Sequence, residues 1–144
     1  MIHHLIWDTV QQAAAEANRF NKTVIFEALS RAGITHVRVA FDGEGDQGQM
    51  DRAIAETKGR TVECPDVKVT ICLAYCDAVD LTPKEMGLQS AIEHICYGYL
   101  EEKFGGWVIG EGSFGRFVFD VENGSLTLDY SGRIVETDYS HHTL

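Results

Sequence analysis

Residues 9–20 are rich in Ala, Gln and Glu, with Val10, Ala13, Ala14 and Ala17 at helical spacing, which predicts an amphipathic helix. In the segment that follows, Val24, Ile25, Ala28 and Leu29 line one side. Asn21 is placed to cap a second helix, and Gly33 supplies the left-handed position at which helices commonly stop. The chain is therefore expected to open with two helices or one bent helix. The period then changes: Val37, Val39 and Phe41 alternate with His36, Arg38 and Ala40, as in a strand with one covered face. Residues 42–48 form a glycine-rich acidic turn, after which 49–56 read either as a hairpin partner or as the start of a short helix.

Residues 57–66 are polar, contain Pro65 and predict a loop, whereas Val67, Val69, Ile71 and Leu73 alternate as a strand over 67–75. Thr82-Pro83-Lys84-Glu85 has the chemistry of a helix start, with a Thr cap, Pro at the first helical position and Glu placed for a capping box. The helix is expected to run to about Phe104, burying Leu88, Ile92, Ile95, Cys96, Tyr99 and Leu100 and ending at Gly105-Gly106. Beyond it the pattern is β. Phe117, Phe119 and Val121 face the same way as Leu126, Leu128 and Tyr130 if Asn123-Gly124 is a two-residue hairpin turn, which sets Asp129 across from Val118 and Asp120 across from Thr127. A last strand returns over 133–139. The elements predict a single α+β domain over residues 1–144, an antiparallel β-sheet with helices packed on one face.

Charge narrows the partners. The chain holds 12 Lys and Arg against 22 Asp and Glu, a formal net charge of -10. That balance argues against direct binding of a nucleic-acid backbone or an anionic membrane and favours a basic protein surface. The excess is uneven: residues 1–72 carry 8 basic and 10 acidic side chains, and residues 73–144 carry 4 and 12. No basic leader and no run of 18 apolar residues is found, so a cytoplasmic location is expected.

Candidate chemistry is sparse. Asp42, Glu44 and Asp46 alternate on a flexible loop and are the residues a metal-dependent hydrolase would use, although the spacing departs from that of a calcium loop. Cys64, Cys72, Cys76 and Cys96 lack zinc-site spacing and read as reduced thiols. Residues 110–115 hold glycines and Ser113 without a P-loop Lys, and read as a flexible loop. Asp120 and Asp129 fall on the sheet face opposite Phe119 and Leu128, with no His or Lys at a diagnostic sequence spacing, and His94 falls on the exposed side of its helix. His141 and His142 point to opposite faces of a strand. No cofactor is implied.

Phe41-Asp42-Gly43-Glu44-Gly45-Asp46-Gln47-Gly48-Gln49, the Gly105-Gly106-Trp107 after a helix and the closing Leu126-Thr127-Leu128-Asp129-Tyr130 together resemble an uncharacterised bacterial domain family that occurs on plasmids, phages and other mobile DNA. The likeness runs from about Asn21 to the C-terminus. It implies a context and supplies no catalytic residues.

These observations predict a non-enzymatic, acidic protein-binding module. Its expected contact residues are Asp42, Glu44, Asp46, Trp107, Glu111, Phe114, Asp120 and Asp129. With the resemblance, the expected partner is a host complex for defence or nucleic-acid handling, which the protein would inhibit. A metal-dependent hydrolase and a toxin-neutralising immunity protein are the alternatives.

Overall fold

The computed structural model describes residues 2–44, 47–74, 81–105, 112–132 and 138–144. The chain opens with one helix, α1 (Ile2–Arg31), where sequence reasoning allowed for two. The reason is that Asn21 is no cap. Ala13, Ala17, Asn21, Ile25 and Leu29 recur every fourth residue as one buried stripe, so nothing interrupts the turn. The helix stops as expected: Gly33 sits at φ +76° and Ile34 N–H donates to the Leu29 carbonyl at 3.0 Å, closing a Schellman motif.

The strands β1 (His36–Glu44), β2 (Gln47–Met50), β3 (Ile54–Thr57) and β4 (Arg60–Val62) follow. The segment 49–56 therefore holds the end of β2 and the start of β3 with an irregular connection at 51–53, and the predicted loop at 57–66 contains a tight turn and the short β4. Next come the hairpin strands β5 (Lys68–Ala74) and β6 (Leu81–Gly87), the helix α2 (Leu88–Lys103), and β7 (Ser113–Asp120), β8 (Ser125–Gly132) and β9 (Asp138–Thr143). The large sheet has seven antiparallel strands in the order β4-β3-β1-β7-β8-β9, with β2 also paired to β1. Strands β5 and β6 form a separate two-stranded sheet. The fold is α+β.

The segment 82–85 is strand β6, not the beginning of a helix; α2 starts at Leu88. Its capping residues are overridden by pairing with β5, which places Pro83 opposite Cys72. The Asn21 side chain explains why proline is tolerated there. Asn21 Nδ2 donates to the Cys72 carbonyl at 2.8 Å, and the Cys72 N–H donates to Asn21 Oδ1 at 2.7 Å. Both backbone groups of Cys72 thus point away from β6, the pair Cys72–Pro83 is a non-hydrogen-bonded one, and the missing N–H of Pro83 leaves no ladder bond unmade.

From Leu88 onward α2 follows its predicted stripe: Leu88, Ile92, Ile95, Cys96, Tyr99 and Leu100 are all buried, together with Ala91. Burial pushes the Cys96 thiol well above its ordinary range, which leaves it protonated and inert. The two helices meet along a polar seam in which Asn18 Nδ2 donates to Glu102 Oε2 at 2.9 Å. Desolvation there, with Glu102 adding to it, pushes the Tyr99 phenol up to about 12.

Both helices contribute to the core over one face of the large sheet, the face that carries Val37, Val39, Phe41, Phe117, Phe119, Leu126 and Leu128. Phe26 of α1 meets Phe119 at 5.8 Å between ring centres, and Phe104, just after α2, stacks on Tyr130 at 3.7 Å. Gly115 lies between Phe41 and Tyr130 in the strand register. A Cβ at that position would run into the Asp129 carbonyl oxygen and the Phe41 ring, so the absence of a side chain is what lets the two aromatics close over β7.

The β7–β8 turn corrects the predicted register. Residues 121–124 form a four-residue turn, because the Asp120 carboxylate accepts the Asn123 backbone N–H at 3.1 Å and its side-chain amide at 2.8 Å, while the Val121 N–H donates to the Thr35 carbonyl. Asp120 therefore faces Ser125 and Asp129 faces Arg116, two places from the expected partners. A shift of two keeps every side chain on its predicted face.

Candidate functional site: the open face of the large sheet

The alternation that buries Phe117 and Leu128 sends their neighbours to the opposite side, where no helix packs among the described residues. Strand register arranges that side in rows. One crosses Gln49, Asp42, Phe114, Ser131 and Tyr139; the next crosses Ala40, Arg116, Asp129 and His141; a third crosses Ile54, Arg38, Val118, Thr127 and Thr143; the last crosses Glu56, His36, Asp120 and Ser125. Large apolar groups stand among them in the open: Phe114 is 37% exposed, Ile54 52% and Tyr139 60%.

Asp129 is the hub. The phenol O–H of Tyr139 donates to Asp129 Oδ1 at 2.7 Å, His141 Nδ1 lies 2.5 Å from the same oxygen, and Arg116 Nε lies 3.9 Å from Oδ2. An ionised carboxylate only accepts, so the His141 ring carries its hydrogen on Nδ1 and turns Nε2 away from the pair. The bonds from His141 and then Tyr139, with the positive charge of Arg116, hold the Asp129 carboxyl below its ordinary range; the same hydrogen bond, more than the charge of Asp129, raises the Tyr139 phenol.

A smaller version stands at the far end of the sheet. His36 Nε2 lies 3.7 Å from Asp120 Oδ1, and Asp120 is held low chiefly by its bonds from Asn123. Between them Arg38 pairs with Glu56. The face is thus polar and largely self-paired rather than a bare acidic patch.

Of the predicted contact residues, Asp42, Phe114, Asp120 and Asp129 share this face, and Asp42 and Phe114 are direct cross-strand partners. Glu44 ends β1. Asp46, Trp107 and Glu111 lie outside the described residues. The described carboxylates of the acidic second half are divided between this face and its edge (Asp120, Glu122, Asp129), α2 (Glu93, Glu101, Glu102) and the β5–β6 hairpin (Glu85). Among the described residues no three His, Cys, Asp or Glu side chains are grouped to hold a metal, and no helix is long and apolar enough to cross a membrane.

Sequence reasoning missed the His141–Asp129 pair, which sequence spacing does not mark because 12 residues separate the two. The signal was present in the strand pattern: once β9 is known to pair with β8, Asp129 and His141 are opposite each other. His141 and His142 do point to opposite faces, and His142 meets the edge of Phe104 on the covered side at 5.1 Å. His94 is exposed on α2, as expected.

A model of a family of unknown function, DUF6878, matches residues 17–144. The chain belongs to that family. The match starts within α1, includes the buried stripe from Ala17 onward, and extends over every strand of both sheets, so the open face lies wholly inside the family's domain. No curated protein and no solved structure matches the chain significantly.

Proposed function

We infer that this DUF6878 member is a non-enzymatic protein-binding module that docks a basic partner on the open face of its large sheet. The observation that carries the reading is the gathering of Asp42, Phe114, Asp120 and Asp129 on one face that no described helix covers, beside the exposed side chains of Tyr139 and Ile54. Amphipathic aromatics in a polar surround anchor interfaces, and Phe114, Tyr139 and Ile54 supply that anchor. The net charge of -10 steers a basic partner into encounter.

The self-pairing of Asp120 and Asp129 divides the labour. Both carboxylates are already occupied by donors of their own chain, so they fix the side chains around them, and the direct contact falls to the aromatic and aliphatic groups. The partner class is a host defence or nucleic-acid-handling complex met in the cytoplasm and inhibited by occupation, a reading that draws on the resemblance to domains of mobile DNA.

The test is affinity capture from host lysate at low and high salt with the wild type and an Ile54→Lys/Phe114→Lys variant. A set of basic proteins is expected that is salt-sensitive and lost in the variant. An unchanged captured set in the variant would show that the open face is not the docking surface.

A further inference from the structure

We propose that Tyr139 and Phe114 form a stacking subsite for an arginine side chain of the partner. The proposal rests on the docking reading above and names the chemistry that the face recognises.

The geometry starts from the strand register. Phe114 on β7 and Tyr139 on β9 lie in one row with Ser131 of β8 between them, so their backbones are about 9.6 Å apart, two strand spacings. Ser131 is small and only 8% exposed, which sets it low between two exposed rings. The hydrogen bond from the Tyr139 hydroxyl to Asp129 reaches diagonally back across β8, and it fixes a ring that would otherwise be mobile on an edge strand. A pre-positioned ring loses less freedom on binding than a swinging one.

Charge selects what stacks there. A phenol that donates to a carboxylate gains electron density in its ring, and the negative face of an aromatic attracts cations. Asp129 offsets Arg116, whose guanidinium Nε lies 3.9 Å from that carboxylate, so the pair leaves little net local charge and the ring faces are what draw the cation. His141 occupies the next position in the row of Asp129 and is turned toward that carboxylate through Nδ1. A nucleobase would also stack on such rings, but the phosphates attached to it meet a chain of net charge -10. Between the two basic side chains, guanidinium is planar and weakly hydrated and lies flat on an aromatic face, whereas an ammonium group keeps its water.

The experiment titrates three acetylated, amidated hexapeptides into the full chain by calorimetry at low salt: alternating Gly-Arg, Gly-Lys and Gly-citrulline, with a hexathymidylate as the nucleic-acid probe. The Gly-Arg peptide is expected to bind most tightly. Tyr139→Ala is expected to weaken it about fivefold, and Phe114→Ala about threefold, with Gly-Lys little affected. Tyr139→Phe, which keeps the ring and loses the bond that holds it, is expected to weaken Gly-Arg binding about twofold, less than Tyr139→Ala, and thermal melts of the variants report that each is folded.

Equal binding of Gly-Arg and Gly-Lys, unmoved by the alanine variants, would sink the arginine subsite and leave the basic-partner reading standing. Binding of citrulline as tight as arginine, or of hexathymidylate tighter than either basic peptide, would also overturn the proposal. Failure of both basic peptides to bind at low salt would remove the docking reading along with it.

Discussion

The two faces of the large sheet are built from the same strands and differ in how their side chains find partners. On the covered face, Phe117, Phe119, Leu126 and Leu128 are fully buried and gain their stability from area removed from water. On the open face, one residue along in each strand, Arg38 pairs with Glu56, His36 with Asp120, and Asp129 with His141 and Tyr139. Exposed pairs of this kind are worth about 0–1 kcal/mol each, so they do little to hold the fold together. What they do is fix orientation. The comparison teaches that the second face is organised beyond what stability needs.

The sharpest way to break this division is to cut the same strand at adjacent faces. Phe117→Ala is expected to cost roughly 3–5 kcal/mol of unfolding free energy in chemical denaturation, whereas Phe114→Ala, three residues earlier, is expected to cost under about 1 kcal/mol. Similar losses at both sites would show that Phe114 belongs to the core. Gly115→Ala, between them, tests close packing on the covered side: the added methyl has no space beside the Asp129 carbonyl and the Phe41 ring, and a loss of roughly 1–3 kcal/mol is expected by the same measurement.

Acid titration addresses the open face. The Asp129 carboxyl is depressed in the folded chain, so its contribution is fully present above the unfolded value near 3.8 and is lost as pH falls through the lower folded value. In melts from pH 6 down to pH 2, Asp129→Asn is expected to flatten the acid-side fall in midpoint, with an effect under about 1 kcal/mol. A variant whose acid profile overlays that of the wild type would mean that the pair is unformed in solution.

The smallest effect is spectroscopic. The Tyr139 phenol is raised by its bond to Asp129, so the bond persists below the ordinary value near 10 and is lost as pH rises through the higher folded value. Asp129→Asn is expected to return one tyrosine to earlier ionisation in an ultraviolet titration. No change in the tyrosine curve would argue that the ring is not held over β8.

Much of this was legible in the chain. The stripe from Leu88 to Leu100 and the alternation of Val37, Val39 and Phe41 are local patterns, and local patterns survive into the structure. What failed was non-local. Thr82-Pro83-Lys84-Glu85 carries helix-start residues, yet its state is decided by β5, whose Val69 and Ile71 are buried, and by a side chain 62 residues earlier, Asn21. The β7–β8 turn misled because Asn123-Gly124 is a strong signal on its own, while the Asp120 carboxylate that widens the turn acts through a hydrogen bond no pattern displays. The candidate site on the open face is half visible in the chain: Asp42, Phe114, Asp120 and Asp129 stand out, but His141 and Tyr139 join them only through pairing of β9 with β8.

The Asn21 amide has one more implication. By satisfying both peptide groups of Cys72, a helix residue impersonates the next strand and closes one margin of the small hairpin to recruitment by another chain. Replacing it with leucine would leave both peptide groups beneath the helix without a partner, so the polar residue in the middle of an apolar stripe stands in for the strand that the hairpin lacks on that side.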